Sequence, residues 1–266
     1  MNKIRIPGAV WIASDVHLGP GTPRTRAAFF RFLEDAAREA DALLLCGDIF
    51  DAWIGDDLAL RDPPPWLEDT IAHLKATAAA LPLWLGRGNR DFLMGSELSN
   101  YLGAHLLPDT CRLACDSGDI LLSHGDEYCT DDKAYQRFRQ VVRTPLAQGM
   151  FLSLGLRTRQ RIAAWARRRS MAANRAKPAE IMDVSLQAVM NAFEQSGLDT
   201  MVHGHTHRPA VHTTEVGART CTRFVLPDWH YEGADTRGGW LIIDREGVRL
   251  VQSPPLPPGT PPTGDS

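Results

Sequence analysis

The chain has 266 residues, 44% of them apolar, and a formal net charge of −3 at pH 7. This composition can bury a substantial core without disulfides, so we expect one domain over residues 1–252. No run approaches the roughly 18 to 20 apolar residues of a membrane-spanning helix, and the N-terminus lacks the apolar run of a secretory signal. We therefore expect the protein to stay in the compartment where it is made.

Short apolar runs that end in polar clusters recur along the chain, and helical periodicity separates the first two of them at residues 27–40. The runs predict buried strands at residues 9–13, 42–46, 81–85, 120–122 and 200–202. The polar clusters contain Asp, Asn and His, which are metal-ligand types. Because an α/β sheet builds its site from loops at strand ends, the pattern predicts an α/β fold that brings these clusters together.

Residues 131–196 interrupt the rhythm of strands with helical patterns that break near Thr144-Pro145 and at Pro178, and we interpret them as a helical insertion. Within it, residues 133–179 contain twelve Lys or Arg and no Asp or Glu, so the rest of the chain carries −15. Such a block is usually a solvated face. Here apolar residues at helical spacing accompany the charge, which indicates an anionic partner.

The C-terminal part predicts further strands at residues 223–226, 240–243 and 248–251, without long helices between them, and thus an antiparallel portion of sheet. Residues 253–266 contain six prolines and little apolar surface, so we predict a disordered tail.

The cysteines are odd in number and irregularly spaced, which argues against a disulfide framework and favours a reducing cytosol. They are Cys46, Cys111, Cys115, Cys129 and Cys221. Cys111 and Cys115 alone indicate zinc only weakly, and we expect them to be small buried apolar residues.

Five motifs supply metal-ligand residue types: Asp15-Val16-His17, Gly47-Asp48, Gly88-Asn89-Arg90-Asp91, Ser123-His124-Gly125-Asp126 and Gly204-His205-Thr206-His207. Side chains at i and i+2 of extended backbone point to one side, so Asp15 and His17 can hold one ion together. We assign Asp48 the role of a bridge between two cations, and Arg90 can clamp a phosphate. Nitrogen and oxygen donors without thiolate favour manganese, iron or zinc.

A single Asp-x-His or His-x-His is more often a surface turn than a ligand pair. Five such motifs in order along the chain favour a shared metal site. No nucleophile elbow, Walker lysine loop or dinucleotide glycine fingerprint is present. His203 should point away from His205 by strand alternation and pack internally. We expect no ligand role for His73, His105 and His212, and His230 is as consistent with a pocket as with ordinary packing.

Together the five motifs resemble the calcineurin-like metallophosphoesterases over about residues 10–210. The resemblance implies a two-sheet αββα sandwich flanked by helices, with the insertion capping the site as a lid. It also implies two divalent cations about 3.5 to 4 Å apart that activate a water for attack on phosphorus. One cation would be bound by Asp15, His17, Asp48 and His207, and the other by Asp48, Asn89, His124 and His205.

One branch of that family is more similar still, through residues 15–18, 47–57, 88–93, 124–126 and 129–132. Similarity to this branch implies hydrolysis of the pyrophosphate bond of a lipid-linked UDP-sugar by water attacking the α-phosphorus. It further implies manganese and peripheral association with the cytoplasmic face of the bacterial inner membrane. We expect a monomer that binds no nucleic acid, because the chain as a whole is acidic and shows no aromatic stacking motif.

Residues 169–177 are similar to the substrate-binding segment of the branch. The similarity implies catalytic roles for Asp48, Asn89, Arg90 and His124. It implies substrate contacts from Asn89, Arg90, Asp132, Ser170, Asn174, Lys177 and His205. Spacing of i, i+4 and i+7 places Ser170, Asn174 and Lys177 on one helical face, as a polar lining requires. The chain departs from the family at Asp51, where glutamate is common.

Two interpretations stay open for the apolar residues of the insertion, which either lie in a membrane interface or pack against the core. These residues are Met150, Phe151, Leu152, Leu154, Leu156, Ile162 and Trp165. Two other functions are also open. A related phosphoesterase could act on another nucleotide or phosphodiester, and a decayed scaffold could serve as an interaction module.

Overall fold

The computed structural model describes residues 1–176 and 183–253, with only the backbone at residues 171–176. Its strands are β1 (Asn2–Arg5), β2 (Val10–Ala13), β3 (Ala42–Cys46), β4 (Leu83–Gly86), β5 (His105–Leu106), β6 (Thr110–Cys115), β7 (Gly118–Ser123), β8 (Thr200–His203), β9 (Ala210–Val216), β10 (Arg219–Val225), β11 (Gly239–Asp244) and β12 (Gly247–Gln252). Its α-helices are α1 (Pro23–Glu39), α2 (Asp57–Arg61), α3 (Pro65–Ala80), α4 (Ser96–Leu102), α5 (Lys133–Val142), α6 (Pro145–Leu152), α7 (Leu156–Ala176) and α8 (Leu186–Ser196).

The strands form two six-stranded sheets, the first ordered β1-β6-β7-β8-β10-β9 and the second β12-β11-β2-β3-β4-β5. Successive side chains of β2 point to opposite faces of the second sheet and so belong to two different apolar layers. Val10 and Ile12 join Leu113 and Val202 of the first sheet in one apolar cluster between the sheets. Trp11 points the other way and packs with residues of α1, α3 and α4. On the outer face of the first sheet, α8 packs against β7 and β8. The layers are therefore αββα, which confirms the predicted fold class.

The predicted strands are found with ends shifted by a few residues, and β11 and β12 form the predicted antiparallel pair. The sequence analysis did not predict β1, β5, β6 and β9. β1, β5 and β9 lie at sheet edges with few buried side chains, and β6 buries only Cys111 and Leu113. None of the four is therefore a continuous apolar run.

Between β7 and β8 the chain forms α5, α6, α7 and α8. The break predicted at Thr144-Pro145 is confirmed, because Thr144 caps α6 by accepting the N–H of Ala147 over 3.3 Å. Neither α5 nor α6 contains a buried residue, whereas α8 buries Val189 and Phe193 against the first sheet. Of the predicted insertion, α8 therefore belongs to the sandwich, and α5, α6 and α7 remain as the segment that we refer to as the cap. The predicted break at Pro178 lies outside the described residues.

The five cysteines are unpaired, and Cys111 lies in the apolar layer between the sheets. Within residues 1–176 and 183–253, no helix is long and apolar enough to cross a bilayer. The proline-rich segment after Ser253 lies outside the described residues.

Candidate metal centre

The seven predicted ligands lie in loops that follow five strands. Asp15 and His17 follow β2, Asp48 follows β3, Asn89 follows β4, His124 follows β7, and His205 and His207 follow β8. Strands β2, β3 and β4 are parallel in one sheet, and β7 and β8 are parallel in the other. Their carboxyl ends meet at one edge of the sandwich, where open α/β sheets place their ligands.

The backbone at this edge is strained. Each non-glycine residue with positive φ in the described part of the chain is a predicted ligand, with φ from 54° to 68°. These residues are Asp15, His17, Asp48, His205 and His207. A left-handed conformation costs a residue with a Cβ about 1–3 kcal/mol and persists only where its surroundings hold it. Five such residues in one site indicate that a particular arrangement of side chains is maintained.

Hydrogen bonds between the loops hold this backbone. The N–H of Asp15 donates to the carbonyl of Gly47 over 3.1 Å, and the N–H of His17 donates to that of Asp48 over 3.0 Å. The N–H of His205 donates to Oδ2 of Asp15 over 2.9 Å, which joins the two sheets. The ligand loops therefore fix one another.

Two motif glycines are required by close approach. A Cβ on Gly88 would lie 2.1 Å from Oδ1 of Asp48, and a Cβ on Gly204 would lie 2.2 Å from Oδ2 of Asp15. Real Cβ atoms do not approach so closely, so any side chain here would displace a buried carboxylate.

One group of donors gathers around Asp15, which is completely buried. Nε2 of His207 and Nε2 of His17 lie 3.4 Å and 3.9 Å from Oδ1 of Asp15, and the two nitrogens are 3.1 Å apart. Oδ1 has no hydrogen-bond partner within the described residues. A buried carboxylate oxygen without a hydrogen bond is costly, and a cation among these three atoms would satisfy it. This group fits a divalent cation.

A second group lies around Asn89, whose Oδ1 is 2.8 Å from Nδ1 of His205 and 3.3 Å from Nε2 of His124. Oδ1 of Asp48 lies 3.8 Å from Nε2 of His124, and its Oδ2 lies 4.0 Å from Nδ1 of His17. The two oxygens of Asp48 thus face different donor groups, which fits a bridging carboxylate.

The electrostatics of the site favour a cation. Burial opposes charge on His124, but the carboxylates of Asp48 and Asp15 raise its pKa to about 9. Burial raises the pKa of Asp48 to about 7, although the charge of His124 opposes this rise. Burial, with the charge of His124, lowers the pKa of His205 to about 4. Cation binding needs charged carboxylates and neutral imidazoles, so His124 would have to release a proton.

Asp91 organises the loops that carry Asp48 and Asn89. It is completely buried and accepts the N–H groups of Gly88 over 2.7 Å, Asp48 over 3.1 Å and Ile49 over 2.7 Å. The sequence analysis included Asp91 in a motif but assigned it no role. A side chain that accepts backbone N–H groups leaves no recognisable pattern in the neighbouring sequence.

Arg90 lies beside Asp48 of the second donor group. Its Nη1 donates to Oδ1 of Asp51 over 2.6 Å, and its Nε lies 3.5 Å from Oδ2 of Asp48. Arg167 of α7 pairs with the same Asp51 oxygen at 2.5 Å. Burial and the charge of Arg90 lower the pKa of Arg167. Two guanidinium groups therefore share one carboxylate next to the donors, and sequence reasoning assigned only one of them to the site.

Part of the basic block is used inside the protein. Arg139 donates to the buried carboxylate of Asp126 over 2.7 Å, and Arg143 donates to the carbonyl of Gly88 over 3.0 Å. Arg159 is only 3% exposed. These arginines fasten the cap to the loops of the site, so the charge offered to an anionic partner is smaller than the count in the sequence indicates.

The four predicted substrate-binding residues of the cap differ in their burial and in whether the structure describes their side chains. Asp132 is largely buried, and its side chain caps α5 by accepting the N–H of Tyr135 over 3.1 Å. Ser170 is exposed on α7. Asn174 lies on the same helix, but its side chain is not described, and Lys177 lies outside the described residues. Their substrate contacts stay predictions.

His203 is completely buried, as predicted for a packed histidine. Its Nδ1 lies 2.9 Å from the carbonyl of Gly204, and its Nε2 lies 3.0 Å from Nη1 of Arg223. Burial lowers the pKa of His203 to about 3. His73 stacks on Phe30, which agrees with an ordinary packing role.

The calcineurin-like phosphoesterase family matches residues 8–209. The chain therefore belongs to this family, as its motifs indicated, and it is a metal-dependent hydrolase.

The relatives with curated names are similar over nearly the whole chain. The UDP-2,3-diacylglucosamine hydrolase of Bordetella parapertussis is 55% identical, covering 94% of this chain and 96% of its own. The protein of the same name from Klebsiella pneumoniae is 44% identical, covering 92% and 99%. Among solved structures, wild-type Vps29 complexed with zinc from Entamoeba histolytica aligns at 12% identity with a TM-score of 0.41, covering 92% of this chain and 97% of its own.

Proposed function

We propose that this chain hydrolyses the pyrophosphate bond of UDP-2,3-diacylglucosamine to give UMP and 2,3-diacylglucosamine 1-phosphate. The observation that carries the proposal is similarity to proteins named for hydrolysis of this lipid. The chain is 55% and 44% identical to two of them, over 94% and 92% of its length. All seven donors of the two groups are present, which argues against a decayed scaffold.

We propose two Mn2+ ions as the cations, because the donors are carboxylate, amide and imidazole groups without thiolate. The first ion would be bound by Asp15, His17, Asp48 and His207, and the second by Asp48, Asn89, His124 and His205. When bound, such a pair lowers the pKa of a water and offsets charge on phosphate oxygens.

We propose that water attacks the α-phosphorus and that the side chains around the donors stabilise the charge on the phosphates. Asp51 orients Arg90 at the edge of the site, where its remaining N–H groups can donate to phosphate oxygens. Arg167 adds a second positive charge on the same carboxylate. Both oppose the negative charge that develops as the bond to the lipid phosphate breaks. Asn89 and His205 would also contact the substrate phosphate.

The cap is proposed to bind the sugar and the acyl chains. Asp132, Ser170, Asn174 and Lys177 would contact the glucosamine or its phosphates. Phe151 packs against the core. The other apolar side chains of the cap include Leu146, which is 75% exposed, and Trp165, which is 55% exposed. We propose that this surface meets acyl chains and the cytoplasmic face of the inner membrane as a peripheral contact.

The test measures UMP release from UDP-2,3-diacylglucosamine in Mn2+ buffer, beside hydrolysis of a generic aryl phosphodiester. The proposal predicts that kcat/KM is much higher for the lipid. Faster turnover of the aryl ester would indicate another phosphodiesterase, and equal, negligible rates of the wild type and Asn89→Ala would indicate a scaffold. In heavy-oxygen water, the label should enter UMP; label in the sugar phosphate would contradict attack at the α-phosphorus.

A further inference from the structure

The loop between β10 and β11 contacts the first donor group from outside the family match, which ends at residue 209. Its Trp229 N–H donates to the carbonyl of Asp15 over 3.0 Å. Oδ2 of its Asp228 lies 3.5 Å from Nδ1 of His207, while Nε2 of His207 lies 3.4 Å from Oδ1 of Asp15. Each ring nitrogen of His207 therefore faces a different buried carboxylate.

Asp228 is held from its other side by Arg237. Asp228 is 3% exposed, and its carboxylate accepts from Nη2 of Arg237 over 2.7 Å and from Nε over 3.0 Å. The backbone of Arg237 forms two hydrogen bonds of 2.8 Å with His230, which close a small hairpin. This fork fixes the plane of the carboxylate as well as its position.

The loop has further attachments that keep Asp228 in place. The N–H of Leu226 donates to the carbonyl of His203 over 2.7 Å. The ring of Trp229 packs against Phe29 at 5.9 Å and against Phe32 at 5.3 Å between centroids. The carboxylate is therefore anchored to β8 on one side and to the apolar layer around α1 on the other.

We propose that Asp228, held by Arg237, is a positioning residue that orients His207 for metal binding. A neutral imidazole has one N–H, so an acceptor at Nδ1 places that proton there and leaves the lone pair of Nε2 for a cation beside Asp15. The carboxylate also restricts rotation of the His207 ring. A small rotation of the ring would bring Nδ1 from 3.5 Å to hydrogen-bond distance of Oδ2 of Asp228. This inference rests on the proposed cation site and adds to it a carboxylate outside the seven donors.

The test is the affinity for Mn2+ without substrate, measured from the electron paramagnetic resonance signal of the free ion. Partners of metal-binding histidines typically contribute about 10- to 100-fold to affinity, so Asp228→Ala should weaken one site by that factor. Arg237→Lys keeps the charge but loses the fork, and its effect should be smaller. The Mn2+ concentration for half-maximal turnover should rise with the Kd, while kcat at saturating Mn2+ is largely restored.

Asp244→Asn is the matched control, since Asp244 forms a similar pair with Arg249 at 2.7 Å on β11 and β12. Its Mn2+ affinity should equal that of the wild type. Thermal unfolding of the metal-free proteins checks that each variant folds. If Asp228→Ala does not fold, Asp228→Asn and Arg237→Lys decide, and wild-type affinity in both overturns the inference.

Failure of this inference is distinguishable from failure of the proposed function. A wild type that binds Mn2+ but releases no UMP contradicts the function, and weaker binding by Asp228→Ala would still support the inference. Wild-type affinity in folded Asp228→Ala contradicts the inference even when turnover is normal. Because Arg237 acts through Asp228, adding Arg237→Ala to Asp228→Ala should weaken binding no further, and additive losses would contradict the arrangement.

Discussion

Nη2 of Arg143 donates to the carbonyl of Gly88 over 3.0 Å, which joins helix α5 to the loop that carries Asn89 and Arg90. The same guanidinium pairs with Asp109 at 2.9 Å. The cap and the donor groups are therefore mechanically connected, and a change in the cap is expected to reach the site without touching a ligand.

Replacing Arg143 tests this connection. Arg143→Ala should lower turnover by about 10- to 100-fold, because a shift of about 1 Å in a positioned group has effects of that size. The measurement is Mn2+-dependent release of UMP. Arg137→Ala is the control, since Arg137 is exposed on α5, which ends directly before Arg143, and it should retain wild-type turnover. Equal rates for both variants would show that the connection is not needed.

Asn89 tests the second donor group without a change in charge. Asn89→Ala removes the oxygen that lies 2.8 Å from His205 and 3.3 Å from His124. Turnover should fall by about 10²–10³-fold, the usual effect of losing one preorganised polar group. Asn100→Ala removes an exposed asparagine on α4 and should have no effect. Wild-type turnover by Asn89→Ala would show that Asn89 is not a functional part of the site.

Metal binding should release a proton from His124. The pKa of His124 is raised to about 9 in the metal-free protein, and a ligand imidazole must be neutral. Apparent Mn2+ affinity should therefore increase with pH and level off above about 9. Calorimetry in buffers of different ionisation enthalpy measures the proton released. His203→Gln should release the same number of protons, and an affinity independent of pH would contradict the prediction.

His203 should make the metal-free protein less stable in acid. Its pKa is lowered to about 3 by burial, whereas an unfolded histidine titrates near about 6.5. The contribution of His203 to the free energy of unfolding is therefore complete above about pH 6.5 and is lost as the pH falls. The loss is about 2 kcal/mol at about pH 5. Urea unfolding with a chelator present should show a smaller acid loss for His203→Gln, and parallel pH profiles would contradict it.

The exposed apolar side chains of the cap can be tested on vesicles. Changing Leu146 and Trp165 to Ser should weaken binding to vesicles that contain anionic lipid, because apolar insertion and basic residues together give interfacial affinity. Leu186→Ser removes an apolar side chain that is 60% exposed on α8 and should bind like the wild type. Unchanged binding after the Leu146 and Trp165 substitutions would contradict the membrane contact.

Most strands away from the sheet edges could be predicted, and the seven candidate donors could be named, because both leave continuous patterns in the sequence. A strand buried on two faces is an uninterrupted apolar run, and each donor stands in a loop directly after such a run. Edge strand β9 has neither feature, since Val211 is more than half exposed. Its place depends on pairing with β10, which no local pattern records.

Positions that act through distant contacts could not be predicted. Asp228-Trp229-His230 repeats the Asp-x-His pattern of Asp15 and His17, yet Asp228 faces the far side of His207. Arg167 differs from its neighbours in the sequence only because its turn of α7 brings it to Asp51. In both cases tertiary packing, and not residue type or spacing, determines the role.

The central claim is that seven side chains from five loops bind a pair of cations. Anomalous diffraction at the manganese edge, on crystals grown with Mn2+, tests it most directly. The account predicts two peaks about 3.5 to 4 Å apart, with Asp48 between them. A single peak, or none among Asp15, Asp48 and Asn89 in fully metallated crystals, would contradict it.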